Sequence, residues 1–479
     1  MSLRASALLL FAGLALAGCA APEEVPAASH DDAAPAATRG PDAVIALVDS
    51  GINPYHVVFR DDSPRALQHP STYLAGYPAD AVALNLTLDA GSLEDALKAD
   101  CETWASVEAD RLYWFPGTRI VGGIHVSTSW TNFLGPRVAE PYSCKDAEAN
   151  QTPSLVFGGS HGTMTASRAA GAGYGACPEC LIVMVESAGP EPILWAADQP
   201  WIDVQSNSWG PIVPLLQPSG GPAPLLMADP DLIRAVEDSA SRQPAFWATG
   251  NGAAFRLGVL GHPTQAAFHF TPSAIRVGGH DSGRVALWPG SSPHVVSDAC
   301  DSWAAEHGSL DESTPRTGGG TSGATPFVAG LAAKVVREAR VLLGDDRVGV
   351  RDGVLAQGNA TVASGPLADG DLTVVELRQA LFATADARPD RIEQDGETCE
   401  VAGFGAPYAS PPVDWATIPD GAPAVPLVGY GAVTPDTANA TLAFLRGEGA
   451  LPERPVEDAF FEADRRQREA TYAVTSQAP

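Results

Sequence analysis

Gly320-Thr321-Ser322-Gly323-Ala324-Thr325-Pro326 runs straight into Phe327-Val328-Ala329-Gly330-Leu331-Ala332-Ala333. A glycine-rich turn followed by small and apolar residues predicts a long helix over 325–340. Pro326 falls in its first turn, where a missing N–H is tolerated. Ser322 then stands at the helix mouth, where unpaired N–H groups and the positive end of the helix dipole converge. That environment suits an atom at which negative charge develops. A glycine loop merely capped by serine is the plainer reading, and the flanking Thr321 and the Ala-x-Pro continuation weigh against it. The motif is not a GxSxG elbow, because position 324 is alanine.

Three upstream motifs supply partners. Ala43-Val44-Ile45-Ala46-Leu47-Val48 is a continuous apolar run, as expected of a buried parallel strand, and it ends at Asp49-Ser50-Gly51. Gly158-Gly159-Ser160-His161-Gly162-Thr163 opens a small-residue helix over 162–173. A predicted strand over 243–249 leads into Ala248-Thr249-Gly250-Asn251-Gly252. Each is weak alone: Asp-Ser-Gly is often a turn, a lone histidine is usually structural, and Gly-Asn-Gly is a common reversal. Together they hold the carboxylate, imidazole, hydroxyl and amide of a base-activated nucleophile with an oxyanion donor.

The order Asp49, His161, Asn251, Ser322 and the flanking motifs resemble the subtilisin-like serine peptidases, the subtilases. The resemblance implies a three-layer α/β/α domain around a mainly parallel sheet, and a serine endopeptidase acting on protein or peptide substrates. In that layout Asp49 fixes the His161 tautomer, His161 takes the Ser322 proton, and Asn251 holds the oxyanion. Ser208-Trp209-Gly210 resembles the family's substrate-pairing strand and one wall of its primary specificity pocket, with Ala248-Thr249-Gly250 facing it. Ile212, Val213, Leu215 and Leu216 follow instead of carboxylates, so an apolar or aromatic P1 residue is expected. Leu372–Ala385 and Gly429-Tyr430-Gly431-Ala432-Val433 resemble elements near the end of such domains, before a helix over 434–445. Departures are Met164-Thr165-Ala166, where most relatives continue with His or Val, the long Asp49–His161 link, and no room for a folding prodomain. The competing reading is a catalytically silent subtilase fold serving as a surface binding or scaffold protein.

Composition bounds the rest. The 479 residues carry 29 Lys and Arg against 57 Asp and Glu, a net charge of −28. Nucleic acid is thereby excluded as a partner, since phosphate binding needs a basic face. Arg4, an apolar stretch over 5–18 and Leu16-Ala17-Gly18-Cys19 read as a secretory segment ending in what resembles a bacterial lipobox. That implies a diacylated Cys19, a membrane anchor, and a cell-envelope or extracellular location. An ordinary signal peptide is the plainer alternative. The expected organisation is a signal at 1–18, a flexible tether at 19–40, a peptidase domain at 41–447 with an insertion at about 60–150, and a polar tail at 448–479. The insertion should hold a helix near 93–107 and a strand near 118–125. The six remaining cysteines suit an oxidising compartment. The expected pairs are Cys177–Cys180, Cys101–Cys144 and Cys300–Cys399, one of fifteen pairings. No cofactor is required for the chemistry and no metal ligand is assigned. Structural calcium, frequent in the family, has oxygen-rich turns available at Gly344-Asp345-Asp346 and Asp369-Gly370-Asp371. A monomer is expected.

Overall fold

The computed structural model describes residues 42–128, 142–149, 153, 159–173, 175–209, 230–249, 273–281, 284–285, 293–299, 303–311, 316–317, 319–343, 365–386 and 430–448. All fall in the compact unit Ala37–Pro479. The expected signal, Cys19, the tether and residues 449–479 of the tail lie outside them.

In chain order, β1 (Val44–Asp49) is followed by β2 (Val82–Ala83), α1 (Leu93–Ala99), α2 (Cys101–Ala105), β3 (Tyr113–Trp114), β4 (Ile120–His125), α3 (Cys144–Glu148) and α4 (Gly159–Ala170). Next come β5 (Leu181–Glu186), α5 (Pro190–Asp198), β6 (Val204–Asn207), α6 (Pro230–Arg242), β7 (Ala245–Ala248), β8 (Ile275–Asp281), β9 (Arg284–Val285) and β10 (Val295–Asp298). A separate antiparallel pair, β11 (Trp303–Ala304) and β12 (Arg316–Thr317), precedes α7 (Thr321–Leu343), α8 (Val374–Thr384) and α9 (Pro435–Leu445).

The central sheet runs β10-β8-β7-β6-β1-β5-β4-β3-β2, with β9 on β8. Its pairs are parallel except β3–β4 and β8–β9. Because both faces are covered, the strands read as unbroken apolar runs rather than alternating ones. Alternate residues nevertheless go to opposite layers. Ile45, Leu47, Ile182 and Met184 pack with Ala166 of α4 and Val328 and Leu331 of α7. Val44, Ala46, Val48, Val183 and Val185 pack on the other face with Ala196 of α5 and Trp201. Leu232 and Val236 of α6 join Ile193 and Trp247 in that second layer. The three-layer α/β/α expectation therefore holds. Small residues let α4 and α7 approach closely: a Cβ on Gly330 would stand 2.4 Å from the Ala169 carbonyl oxygen.

Three local expectations change in detail. First, α7 begins at Thr321, ahead of 325, because the Gly319 and Gly320 carbonyls already accept the Gly323 and Ala324 N–H groups. Pro326 thus sits in the second turn. Second, the helix expected over 93–107 divides at Asp100. The buried Asp100 carboxylate turns inward, accepting the Tyr55 hydroxyl at 2.9 Å and the Thr87 N–H and hydroxyl at 2.7 and 2.6 Å. The Trp104 indole N–H donates to Tyr55 Oη at 2.8 Å, pinning α2 to the chain that follows Asp49. Third, the insertion at 60–150 supplies β2 and β3 besides the expected strand β4, and the three extend the sheet beyond β5.

Two of the expected disulfides are present, Cys101–Cys144 joining α2 to α3 and Cys177–Cys180 in the turn before β5. Cys300 and Cys399 lie outside the described residues. At the amino edge of the sheet, Asp203 accepts the Val44 N–H at 2.8 Å and pairs with Arg340 of α7, whose Nη1 donates to Asp203 Oδ2 at 3.0 Å while Nη2 meets Oδ1. Both side chains are almost wholly buried. No helix among the described residues is long and apolar enough to cross a membrane.

Candidate active site

β1 lies between β5 and β6, so the strand order turns about it. The crevice at the carboxyl end of such a strand is where a doubly wound sheet gathers its reactive groups. Asp49 is the last residue of β1 and is buried. Its Oδ1 accepts His161 Nδ1–H at 2.7 Å and the Ser50 N–H at 2.7 Å, and its Oδ2 accepts the Thr165 hydroxyl at 3.1 Å. Burial pushes the Asp49 carboxyl up, but the His161 charge and the hydrogen bonds from His161, Ser50 and Thr165 outweigh it. The net effect holds the group below the usual carboxylate range. His161 is on the first turn of α4 with its side chain 39% exposed, so one end of the imidazole is anchored in the protein while the ring remains reachable. Geometry of this kind holds an imidazole in one tautomer, with Nε2 as the nitrogen that accepts a proton.

Glycine brings the two elements together. A Cβ on Gly162 would fall 1.9 Å from the Gly51 carbonyl oxygen, so the turn after β1 and the start of α4 meet backbone to backbone. Thr163 locks the same junction, accepting the Asn53 N–H at 2.8 Å and lying 3.1 Å from His307 Nδ1. Asn53 Nδ2 donates in turn to the carbonyls of His307 and Ser309.

Ser322 is the second residue of α7. Its hydroxyl donates to the Ser208 carbonyl at 3.2 Å, and the Ser208 hydroxyl donates back to the Ser322 carbonyl at 3.0 Å. That carbonyl is available because Pro326, four residues on, has no N–H to bond it. The proline therefore leaves an acceptor with which Ser208 holds the Ser322 turn against the end of β6. Gly323 and Ala324 N–H groups are used inside the turn, so the cluster of free donors expected there is smaller than the sequence suggests.

The other predicted site residues divide between described and undescribed. Ser208, Ala248 and Thr249 are buried beyond the ends of β6 and β7 or at them, and Thr249 N–H donates to Val277 O at 3.1 Å. Trp209 is partly buried and stacks edge-to-face on Trp247 at 5.4 Å. Gly210, Gly250 and Asn251 lie outside the described residues. The residues the sequence reading missed are Thr165, Asn53 and the Ser208 hydroxyl's bond. Thr165 had a readable signal: it stands four positions after His161, hence on the same helix face.

Among the described residues, the cluster with metal-ligating proximity is Cys101, Glu102 and Cys144, and its two thiols are consumed by their disulfide. Asp371 is buried with its Oδ1 on the Leu372 N–H, and 344–346 lies outside the described residues, so neither turn is assigned to calcium.

The sequence matches the family model described as the subtilase family over residues 40–405. Among solved structures it is similar to a self-cleaved protease domain of PatA, at 14% identity and a TM-score of 0.43, with 86% of this chain and 100% of that one covered. The prenylagaramide maturation protease PagA aligns at 14% identity and 0.41, covering 86% and 96%. A cold adapted subtilisin-like serine proteinase aligns at 16% and 0.35, covering 73% and 84%. No curated protein matches the chain. With the family model spanning most of the sequence, this chain belongs to the subtilase family and is a serine-type peptidase.

Proposed function

We propose that the chain is an exported serine endopeptidase whose triad is Asp49, His161 and Ser322. The observation that carries this reading is the buried Asp49 bonded to the half-exposed His161 at 2.7 Å, on the sheet edge where α7 presents Ser322. His161 takes the proton of Ser322 as the hydroxyl attacks a peptide carbonyl, and Asp49 stabilises the imidazolium. The Ser322 N–H and the Asn251 amide hold the oxyanion. Losing the side-chain donor should slow turnover by ~10²–10³, a magnitude measured on subtilisin itself. On collapse of the intermediate the imidazolium returns its proton to the leaving amine, and water then releases the acyl group by the same steps.

Substrates are extended peptides or proteins paired along the Ser208-Trp209-Gly210 segment and the facing Ala248-Thr249-Gly250, with an apolar or aromatic P1 side chain. Cys19 carries the lipid that anchors the domain outside the cytoplasmic membrane.

A fluorophosphonate probe should label the wild-type protein and leave Ser322→Ala unlabelled. An unreactive wild type would instead favour a silent scaffold. Profiling on a peptide library tests the pocket, where selection of Arg or Lys at P1 would refute the apolar assignment. Radiolabelled palmitate failing to enter the protein in a native-type host would remove the anchor.

A further inference from the structure

The triad reading leaves one buried group without an assigned role. Asp49 offers two carboxylate oxygens, and their donors are unequal. Oδ1 receives both the His161 Nδ1–H and the Ser50 N–H, while among the described residues Oδ2 receives only the Thr165 hydroxyl. Both Asp49 and Thr165 are buried, so no solvent stands ready to replace that donor. A buried carboxylate oxygen that loses its donor keeps its desolvation cost with nothing to offset it.

We infer that Thr165 is a positioning residue for catalysis, resting on the triad assignment above: its hydroxyl holds Oδ2 so that Oδ1 stays aimed at His161. The helix makes this natural. His161 and Thr165 are four residues apart on α4 and share the face turned to the end of β1. The same hydroxyl lies 3.1 Å from the Gly162 carbonyl, an ordinary back-bond within a helix. One hydroxyl hydrogen cannot fully serve both, and an ionised carboxylate is the stronger acceptor.

The hydroxyl also spreads the Asp49 charge. Without it, negative charge concentrates on Oδ1, the imidazolium of His161 is favoured, and free base forms only at higher pH. A second carboxylate residue stands beside Asp49 in the sheet. Glu186 is the strand partner of Asp49 on β5, and it is paired in the interior with His125 of β4. These stay in place in every variant below, so they shift all profiles alike.

The test is the second-order rate of fluorophosphonate labelling across pH for wild type, Thr165→Val, Thr165→Ala and Thr165→Ser, with Ser322→Ala as the blank. Val and Ala should slow labelling about tenfold and move the acid limb to higher pH, while Ser, which keeps the hydroxyl, should match wild type. Wild-type rates and an unmoved limb in the Val and Ala variants overturn the inference, even if their thermal midpoints fall, because back-bonding to Gly162 alone would explain a lost midpoint. If Val prevents folding, Ala removes the same hydroxyl with less bulk and decides the matter. An unlabelled wild type, or a labelled Ser322→Ala, sinks the triad assignment and this inference with it. Normal Ser322-dependent labelling with indifferent Thr165 variants sinks this inference alone.

Discussion

Two carboxylates are buried at the amino and carboxyl edges of one sheet, and α7 packs along that sheet. Asp203, just ahead of β6, meets Arg340 near the helix end, whereas Asp49, the last residue of β1, meets His161 at the edge where α7 begins. Eighteen helical steps lead from Ser322 to Arg340, a rod of about 27 Å. At the amino edge both partners are sealed from water, with side chains 0% and 2% exposed. At the carboxyl edge the carboxylate is sealed at 4% but its imidazole is 39% exposed. A fully enclosed pair can fix the position of a helix and do nothing else. A pair open on one side can hold a proton acceptor at the surface, at some cost in rigidity. The difference teaches where each kind of mutation should register.

The largest effect expected is in reactivity. Ser322→Ala should lower turnover by about 10⁶, the magnitude known for subtilisin, with the thermal midpoint left near wild type; a large drop in midpoint would show that the site edge is also an anchor. Next comes Arg340→Met, which leaves Asp203 charged and buried and should cost about 3–5 kcal/mol in denaturant unfolding. Its labelling rate per folded molecule should not change. Gly162→Ala forces the Gly51 carbonyl away from α4 and displaces His161, for which about a 10²-fold loss of labelling is expected. Equal rates in that variant would mean that the junction is softer than the 1.9 Å approach implies.

Acid should separate the edges further. Asp49 has its folded pKa held below its unfolded value of 3.8, so its contribution is complete above that value and disappears as pH falls through the lower one. His56, in the loop after β1, behaves in the opposite chemical sense but the same direction. Burial pulls it down to about 4 from 6.5, against the charge of Asp311, and its Nδ1 accepts the Val58 N–H, which requires a neutral ring. The unfolded chain binds the extra proton first, so stability falls as pH drops from 6.5 toward 4. Thermal midpoints across that window should decline less steeply in His56→Asn, which keeps an acceptor but cannot titrate. The smallest effect belongs to a pair outside both edges. Lys98 and Glu94 form an exposed pair one helical turn apart on α1, and Lys98→Ala should leave the denaturation midpoint indistinguishable from wild type.

Much of this was legible in the sequence for identifiable reasons. An unbroken apolar run marked β1 because both faces of a parallel strand are covered. Small residues marked α4 and α7 because the two helices touch. Asp49, His161 and Ser322 were recognisable because each stands at the end or start of such an element. What escaped depends on contacts across long separations. Arg340 and Asp203 are 137 residues apart, and no local pattern announces their meeting. The reciprocal bonds of Ser208 and Ser322 required knowing that Pro326 would fall in the second turn, which the expected helix start at 325 concealed. The split at Asp100 was hidden because its partners Tyr55 and Thr87 belong to other segments.

The bridge between Cys101 and Cys144 has a consequence for the lifetime of the molecule. A peptidase at working concentration meets copies of itself, and a chain is cut only where it can open into an extended strand. The bridge closes a loop of 43 residues' separation that includes β3 and β4, and α1, α2 and α3 pack together around it. Loop closure of that size removes about 4 kcal/mol of chain entropy from the opened state. Self-digestion should therefore begin there once the bridge is reduced, and incubation of reduced Ser322→Ala with a trace of active enzyme should yield its first cuts between residues 101 and 144.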